Sequence, residues 1–206
     1  MTKRFIVIEG GDGTGKSTQI KLIAEYLKEK GFDVVITREP GGVVTAEKIR
    51  EIILNNEIDP VTEALLFASA RREHLKKKVL PALNNGQIVL CDRFVYSSLA
   101  YQGYARGLGI ENVYNINKLA IEEMMPGLTI LLELSPEKGI ERINSNRADE
   151  VNRLDLEGLD FHRKVREGYS KVVEMYPENK CIKIDASQSI EDVFKDIKKE
   201  LDNIKF

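Results

Sequence analysis

Gly10-Gly11-Asp12-Gly13-Thr14-Gly15-Lys16-Ser17 decides how the rest of this chain is read. The eight residues fit the phosphate-loop pattern G-x-x-x-x-G-K-[ST], and their neighbours suit it. Residues 4–9 before the loop read as a short buried strand. Residues 18–30 after it read as an amphipathic helix, with Ile20, Ile23, Ala24 and Leu27 on one face and Gly31 ending it. Glycines let the backbone curl until successive N–H groups point at anionic oxygens, and the helix start adds its own unpaired N–H groups. Residues 10–17 and Thr18 are therefore expected to cradle a nucleoside triphosphate. Lys16 would reach its β- and γ-phosphates, and the Ser17 hydroxyl would ligate Mg²⁺.

Working outward, further apolar runs appear at residues 34–37, 88–91, 129–134 and 181–184, beside the first at 5–8. Most are continuous Val/Ile/Leu runs, as expected for strands covered on both faces. Helical patterns separate them at 45–54, 62–80 (ended by Pro81 and a loop Asn84-Asn85-Gly86), 111–123, 136–144, 159–176 and 190–205. Alternation of this kind predicts an α/β fold: one P-loop domain over residues 1–206, with a five-stranded parallel sheet covered by helices on both faces. Ligands in such sheets bind beyond the strand C-termini. Residues 145–158 are polar and poorly periodic, and a loop of that length is expected to be either functional or disordered.

The chain has 206 residues, 42% hydrophobic and 31% charged, with a net charge of −2. That balance gives no reason to expect wholesale binding to nucleic acid or acidic membranes. No apolar run approaches the roughly 20 residues needed to span a bilayer. Met1-Thr2-Lys3-Arg4 leads straight into the first strand, so no signal peptide is expected, and a cytoplasmic location is. Cys91 and Cys181 are expected to be buried strand residues without metal-type neighbours. His74 and His162, in charge-rich helical stretches, are expected in solvent.

Two strand ends carry further chemistry. Asp92 and Arg93 follow the run at 88–91, where an acid can approach a Mg²⁺ shell and an arginine fork can grip phosphate. Arg38 follows the run at 34–37, and Arg50 and Arg71 lie on nearby predicted helices, so several cations are available for a second phosphate-bearing substrate.

These segments resemble the thymidylate kinase family. The resemblance rests on the P-loop with Glu9 and Asp12, TREPGG at 37–42, TEALLFASARREH at 62–74, DRFVYSSLAYQG at 92–103 and VNRLDLEGLDFHRKVREGY at 151–169. It runs in order through nearly the whole chain. It implies transfer of the γ-phosphoryl group of ATP·Mg²⁺ to dTMP. By the same resemblance, Phe67 would stack on thymine, Arg71 would donate to a thymine carbonyl, and Ser98 and Gln102 would complete the polar edge. Asp12 would reach the sugar 3′-hydroxyl. Arg38, Arg50 and Arg93 would hold the dTMP phosphate, and Tyr101 would crowd the sugar 2′ position. Glu9 and Asp92 would act around Mg²⁺ and the acceptor phosphate. Some members carry a catalytic arginine directly after the acidic P-loop residue. Here that position is Gly13, so the resemblance makes residues 145–158 a lid whose Arg147 and Arg153 are expected to supply the charge, with Arg142 set aside as a helix residue before the lid. A homodimer is also implied. A GTPase would show N-K-x-D, whereas Asn117-Lys118 is followed by Leu119-Ala120.

Overall fold

The computed structural model describes residues 2–146 and 157–204. Five parallel strands form one sheet: β1 (Phe5–Gly10), β2 (Val34–Arg38), β3 (Ile88–Asp92), β4 (Leu128–Glu133) and β5 (Cys181–Asp185). Their order is β2-β3-β1-β4-β5. The chain leaves β1 for one edge and, after β3, crosses to the other, so the topology switches direction at β1. The C-terminal end of β1 is where such a sheet offers a ligand crevice.

Alternate side chains of each strand enter different cores. Phe5, Val7, Val89, Cys91 and Leu131 pack with residues of the 95–105 segment, α6 (Ile110–Ile121) and α8 (Leu159–Met175). Ile6, Ile8, Leu90, Ile130 and Leu132 pack with α1 (Lys16–Glu29) and α9 (Ile190–Asp202) on the other face. A strand buried on both sides cannot alternate polar with apolar, which is why these runs read as continuous. Ile23, Leu27 and Ile197 are fully buried, each stabilising the fold by roughly 1.5–3 kcal/mol.

The remaining elements differ from expectation in instructive places. α2 spans Val44–Asn55 and α3 spans Pro60–His74, with Asp59 accepting from the N–H groups of Val61 and Thr62. Pro81 does not end a helix. α3 runs through a π-helical stretch, Leu75–Val79, into α4 (Leu80–Asn84), so Pro81 falls directly after the π-helical bonding, where the ordinary helix ladder is already broken. Residues 95–105, unassigned from sequence, are helical: α5 (Val95–Ser98) continues into a π-helical stretch, Leu99–Ala105. Their i→i+5 bonding does not follow the 3.6-residue template. α7 (Pro136–Asn146) precedes residues 147–156, which lie outside the described residues, so Arg147 and Arg153 have no placement here.

Two expectations about lone residues are corrected. His74 and His162 are not in solvent but buried, at 0% and 7% exposure, because each lies on the inward face of its helix. Cys91 does have metal-type neighbours: ligand atoms of Glu39, His74 and Cys91 lie within 4.8 Å of one another. Cys181 is only half-buried. No helix among the described residues is long and apolar enough to cross a membrane.

Candidate active site

The P-loop begins where β1 ends. Gly10, Gly13 and Gly15 all have positive φ, and Gly15 sits at the N-cap of α1 with no side-chain cap. The first N–H groups of that helix are thus left for an anion rather than consumed by a capping oxygen. Gly13 is forced for another reason. A Cβ there would lie 2.2 Å from the Gly139 carbonyl oxygen, and one on Gly139 would lie 2.6 Å from the Asp12 carbonyl oxygen. The two backbones touch, so loop and α7 meet without side chains between them.

Lys16 is buried, and its Nζ donates to the carbonyls of Gly10 (3.1 Å) and Gly11 (2.7 Å). Burial and the nearby Arg93 guanidinium lower its pKa to about 8, despite the opposing carboxylates of Asp92 and Asp12. Ser17 and Thr18 are exposed on the first turn of α1.

At the end of β3, Arg93 adopts φ +67°, a left-handed conformation uncommon outside glycine. Its N–H donates to the Ile8 carbonyl (2.9 Å), and the next N–H, of Phe94, donates to Glu9 Oε1 (2.8 Å). Glu9 is fully buried and also accepts from the Ser97 hydroxyl (2.6 Å) and the Tyr169 hydroxyl (3.0 Å). Burial raises its pKa, with Ser97 and Arg93 working against the rise. Glu9 therefore stands behind the cavity wall, holding the Asp92-Arg93-Phe94 turn. The turn aims Arg93 at Asp12, with which it pairs, and its Nη1 reaches Ser97 Oγ and Tyr169 Oη at 3.2 Å. Burial would raise the Asp12 pKa, but Arg93 and Lys16 outweigh it and hold the carboxyl at about 2. Tyr101 donates to the other Asp12 oxygen at 2.7 Å. Asp92 Oδ1, by contrast, is buried with no hydrogen-bond partner among the described residues.

Arg38 at the end of β2 pairs with Glu47 (2.9 Å), and Arg50 on α2 donates to the Pro40 carbonyl (3.2 Å). Burial, then Arg38 and Arg93, press the Arg50 pKa downward. The three guanidiniums share one recess, with Arg38 and Arg93 each also paired to a carboxylate.

Arg71 on α3 is 2% exposed. Its Nε donates to Glu39 (2.7 Å), Nη1 to Ser98 Oγ (3.2 Å) and Asn117, and Nη2 to the Phe94 carbonyl (2.9 Å) and Ser98 Oγ (3.3 Å). All five guanidinium N–H groups thus meet protein acceptors. Glu39 also accepts from His74 Nδ1 at 2.9 Å, while His74 Nε2 meets Thr37 Oγ1 at 2.7 Å. With both ring nitrogens engaged and Arg71 on the carboxylate, Glu39 and His74 belong to a buried hydrogen-bond array, while the Cys91 thiol beside them donates to the Arg93 carbonyl at 3.2 Å. Burial also pushes the Cys91 thiol well above its ordinary range.

One cavity of about 680 Å³ gathers these parts. Its wall includes Asp12 to Gln19, Arg38, Arg50, Phe67, Arg71, Asp92, Arg93, Ser98, Tyr101 and Gln102. Among the expected site residues within the described range, Gly10, Gly11 and Glu9 lie off this wall. Arg142 lies on it, beside Ala186, whose carbonyl it meets at 3.1 Å, and Gln188. Glu63, Asn117 and Tyr169, which stand behind the wall, and Glu39, which lies on it, were given no site role from sequence, although Glu39, Glu63 and Tyr169 fall inside quoted motifs. Their roles come from contacts between segments 32 to 160 residues apart.

A parallel sheet with this strand order, a P-loop at its switch point and an arginine-lined recess opposite define a P-loop phosphotransferase with two phosphate-bearing ligands. A family model described as Thymidylate kinase matches residues 8–197. Curated proteins named thymidylate kinase are similar along almost their whole length. That of Clostridium novyi (strain NT) is 52% identical over 197 residues, covering 94% of this chain and 96% of the relative. That of Geobacillus sp. (strain WCH70) is 55% identical over 94% and 93%, and that of Halalkalibacterium halodurans is 54% identical over 95% of each. The chain belongs to the thymidylate kinase family, an enzyme family of nucleoside monophosphate kinases.

Proposed function

We propose that this protein transfers the γ-phosphoryl group of ATP·Mg²⁺ to the phosphate of dTMP, giving dTDP and ADP. The observation that carries the reading is the single cavity in which the P-loop faces Arg38, Arg50 and Arg93. ATP phosphates would lie on the P-loop and on Lys16, at the uncapped start of α1. The dTMP phosphate would sit among the three arginines, with the thymine between Phe67 and the Arg71–Ser98–Gln102 edge and Asp12 at the sugar 3′-hydroxyl. Tyr101, held through its hydroxyl by Asp12, would close the space at the 2′ position. Positioning two anions in line and offsetting their charge supplies most of the rate in such a transfer.

The residues present fit a Mg²⁺ ion. Asp92 Oδ1 is a buried oxygen without a partner among the described residues, and the Ser17 hydroxyl is exposed at the P-loop end. Asp92 and Ser17 would hold the ion, whose positive charge would offset that of the phosphates. Arg93 would steady the acceptor phosphate, and Glu9 would hold the turn that presents both Asp92 and Arg93. Arg147 and Arg153 would bring the further charge that Gly13 cannot carry. We also infer a homodimer: α3 packs against both α2 and α6, and these helices expose Ile52, Val61, Leu65 and Leu119.

ADP release from ATP·Mg²⁺ with dTMP, dUMP, dCMP, UMP, thymidine or no acceptor tests the reading. Fast turnover led by dTMP is expected. Activity led by another acceptor overturns the base edge, and slow hydrolysis indifferent to acceptor overturns the kinase.

A further inference from the structure

We propose that Glu63 sets which end of the Gln102 amide the acceptor base meets, and so decides between a base edge with a carbonyl beside an N–H and one with an amino group beside a bare nitrogen. The inference rests on the base-pocket reading above. Glu63, on α3, is 1% exposed, and its Oε1 accepts from Gln102 Nε2 at 2.9 Å. The same oxygen lies 3.5 Å from Arg106 Nε. A carboxylate in an ion pair only accepts hydrogen bonds, so it admits only the NH₂ end of the amide. The amide oxygen is left for the cavity that Gln102 lines, and it has no hydrogen-bond partner there among the described residues.

Ser98 is biased the opposite way. Its Oγ accepts from both Nη1 and Nη2 of Arg71, at 3.2 and 3.3 Å. With both lone pairs occupied, the hydroxyl has only its proton to offer. The wall thus presents a donor beside an acceptor, and a buried charge behind each prevents inversion. Thymine and uracil offer C4=O and N3–H, which match this pattern. Cytosine offers an amino group and an N3 lone pair, which meet it donor to donor and acceptor to acceptor. Sites built around hydrogen bonds discriminate chiefly through the partners that a wrong ligand leaves unmet.

Glu63→Gln is the test. A glutamine at 63 can donate to the Gln102 oxygen and free the NH₂ to face the base. Arg106 is not orphaned by the change, because its Nη2 lies 2.6 Å from Glu157, an ion pair off the hydrogen-bond axis. kcat and KM for dTMP and dCMP would be measured on the wild type, on Glu63→Gln and on the exchange Glu63→Gln/Gln102→Glu. In Glu63→Gln the ratio of kcat/KM for dTMP over dCMP is expected to fall by about tenfold or more, through KM, with kcat for dTMP little changed. The exchange returns an acceptor to the base and a donor behind it, so the ratio is expected to recover. An unchanged ratio, equal losses on both acceptors, or an exchange that folds but leaves the ratio low overturns the proposal. Should the wild type itself not prefer dTMP, the pocket reading fails and the proposal with it. A wild type that prefers dTMP beside an unresponsive Glu63→Gln sinks the proposal alone.

Discussion

Lys16 carries the sharpest residue-scale consequence. Its ammonium titrates at about 8 in the free protein because burial and Arg93 disfavour its charge. A bound phosphate chain favours that charge and raises the pKa. Below pH 8 the lysine is already protonated and binding needs no proton. Above it, binding must take one up, so affinity for ATP falls as pH rises, by up to about tenfold per pH unit. Calorimetric titration in buffers of different ionisation enthalpy measures both the slope and the proton uptake. A flat profile with no uptake would show that phosphate does not act on this ammonium. Much at this scale was legible beforehand. GKS names its own chemistry, and TREPGG and DRF mark strand ends facing the site. What sequence could not supply was the set of buried partners, since Glu63, Asn117 and His74 meet theirs only when distant segments come together, even where, as for Glu63 and His74, a quoted motif contains them.

Among the elements, the strands were readable to within a residue or two, because a strand buried on both faces leaves a continuous apolar run. The helix through residues 95–105 was not, since its π-helical bonding breaks the period a reader searches for. The meeting of the P-loop and α7 was equally invisible, being made by backbone alone. Gly13→Ala tests it. Its φ of +74° and the 2.2 Å approach to Gly139 oppose any side chain, so stability is expected to drop by about 2 kcal/mol or more in urea unfolding. Stability equal to wild type would mean that α7 yields easily. Arg147→Ala and Arg153→Ala are expected to lower kcat more than they raise KM for dTMP. If neither variant loses turnover, the charge comes from residues already on the cavity wall.

For the whole molecule, the two apolar cores account for both sheet faces, which leaves the exposed side chains Ile52, Val61, Leu65 and Leu119 unexplained by folding. A second copy would cover them. Sedimentation equilibrium is expected to give twice the mass of the 23.3 kDa chain, and Leu65→Glu, placing charge on an exposed position, is expected to shift the protein toward monomer without unfolding it. A wild-type monomer at micromolar concentration would remove the dimer from the account.

The Gly13–Gly139 contact also bears on what this scaffold can become. An arginine grafted into the P-loop after Asp12 would have to displace the start of α7, the element that leads into residues 147–156. Charge delivered from the loop and charge delivered from beyond α7 are therefore alternatives rather than additions. A designer, or a lineage, moving from one to the other must rebuild the floor on which both stand.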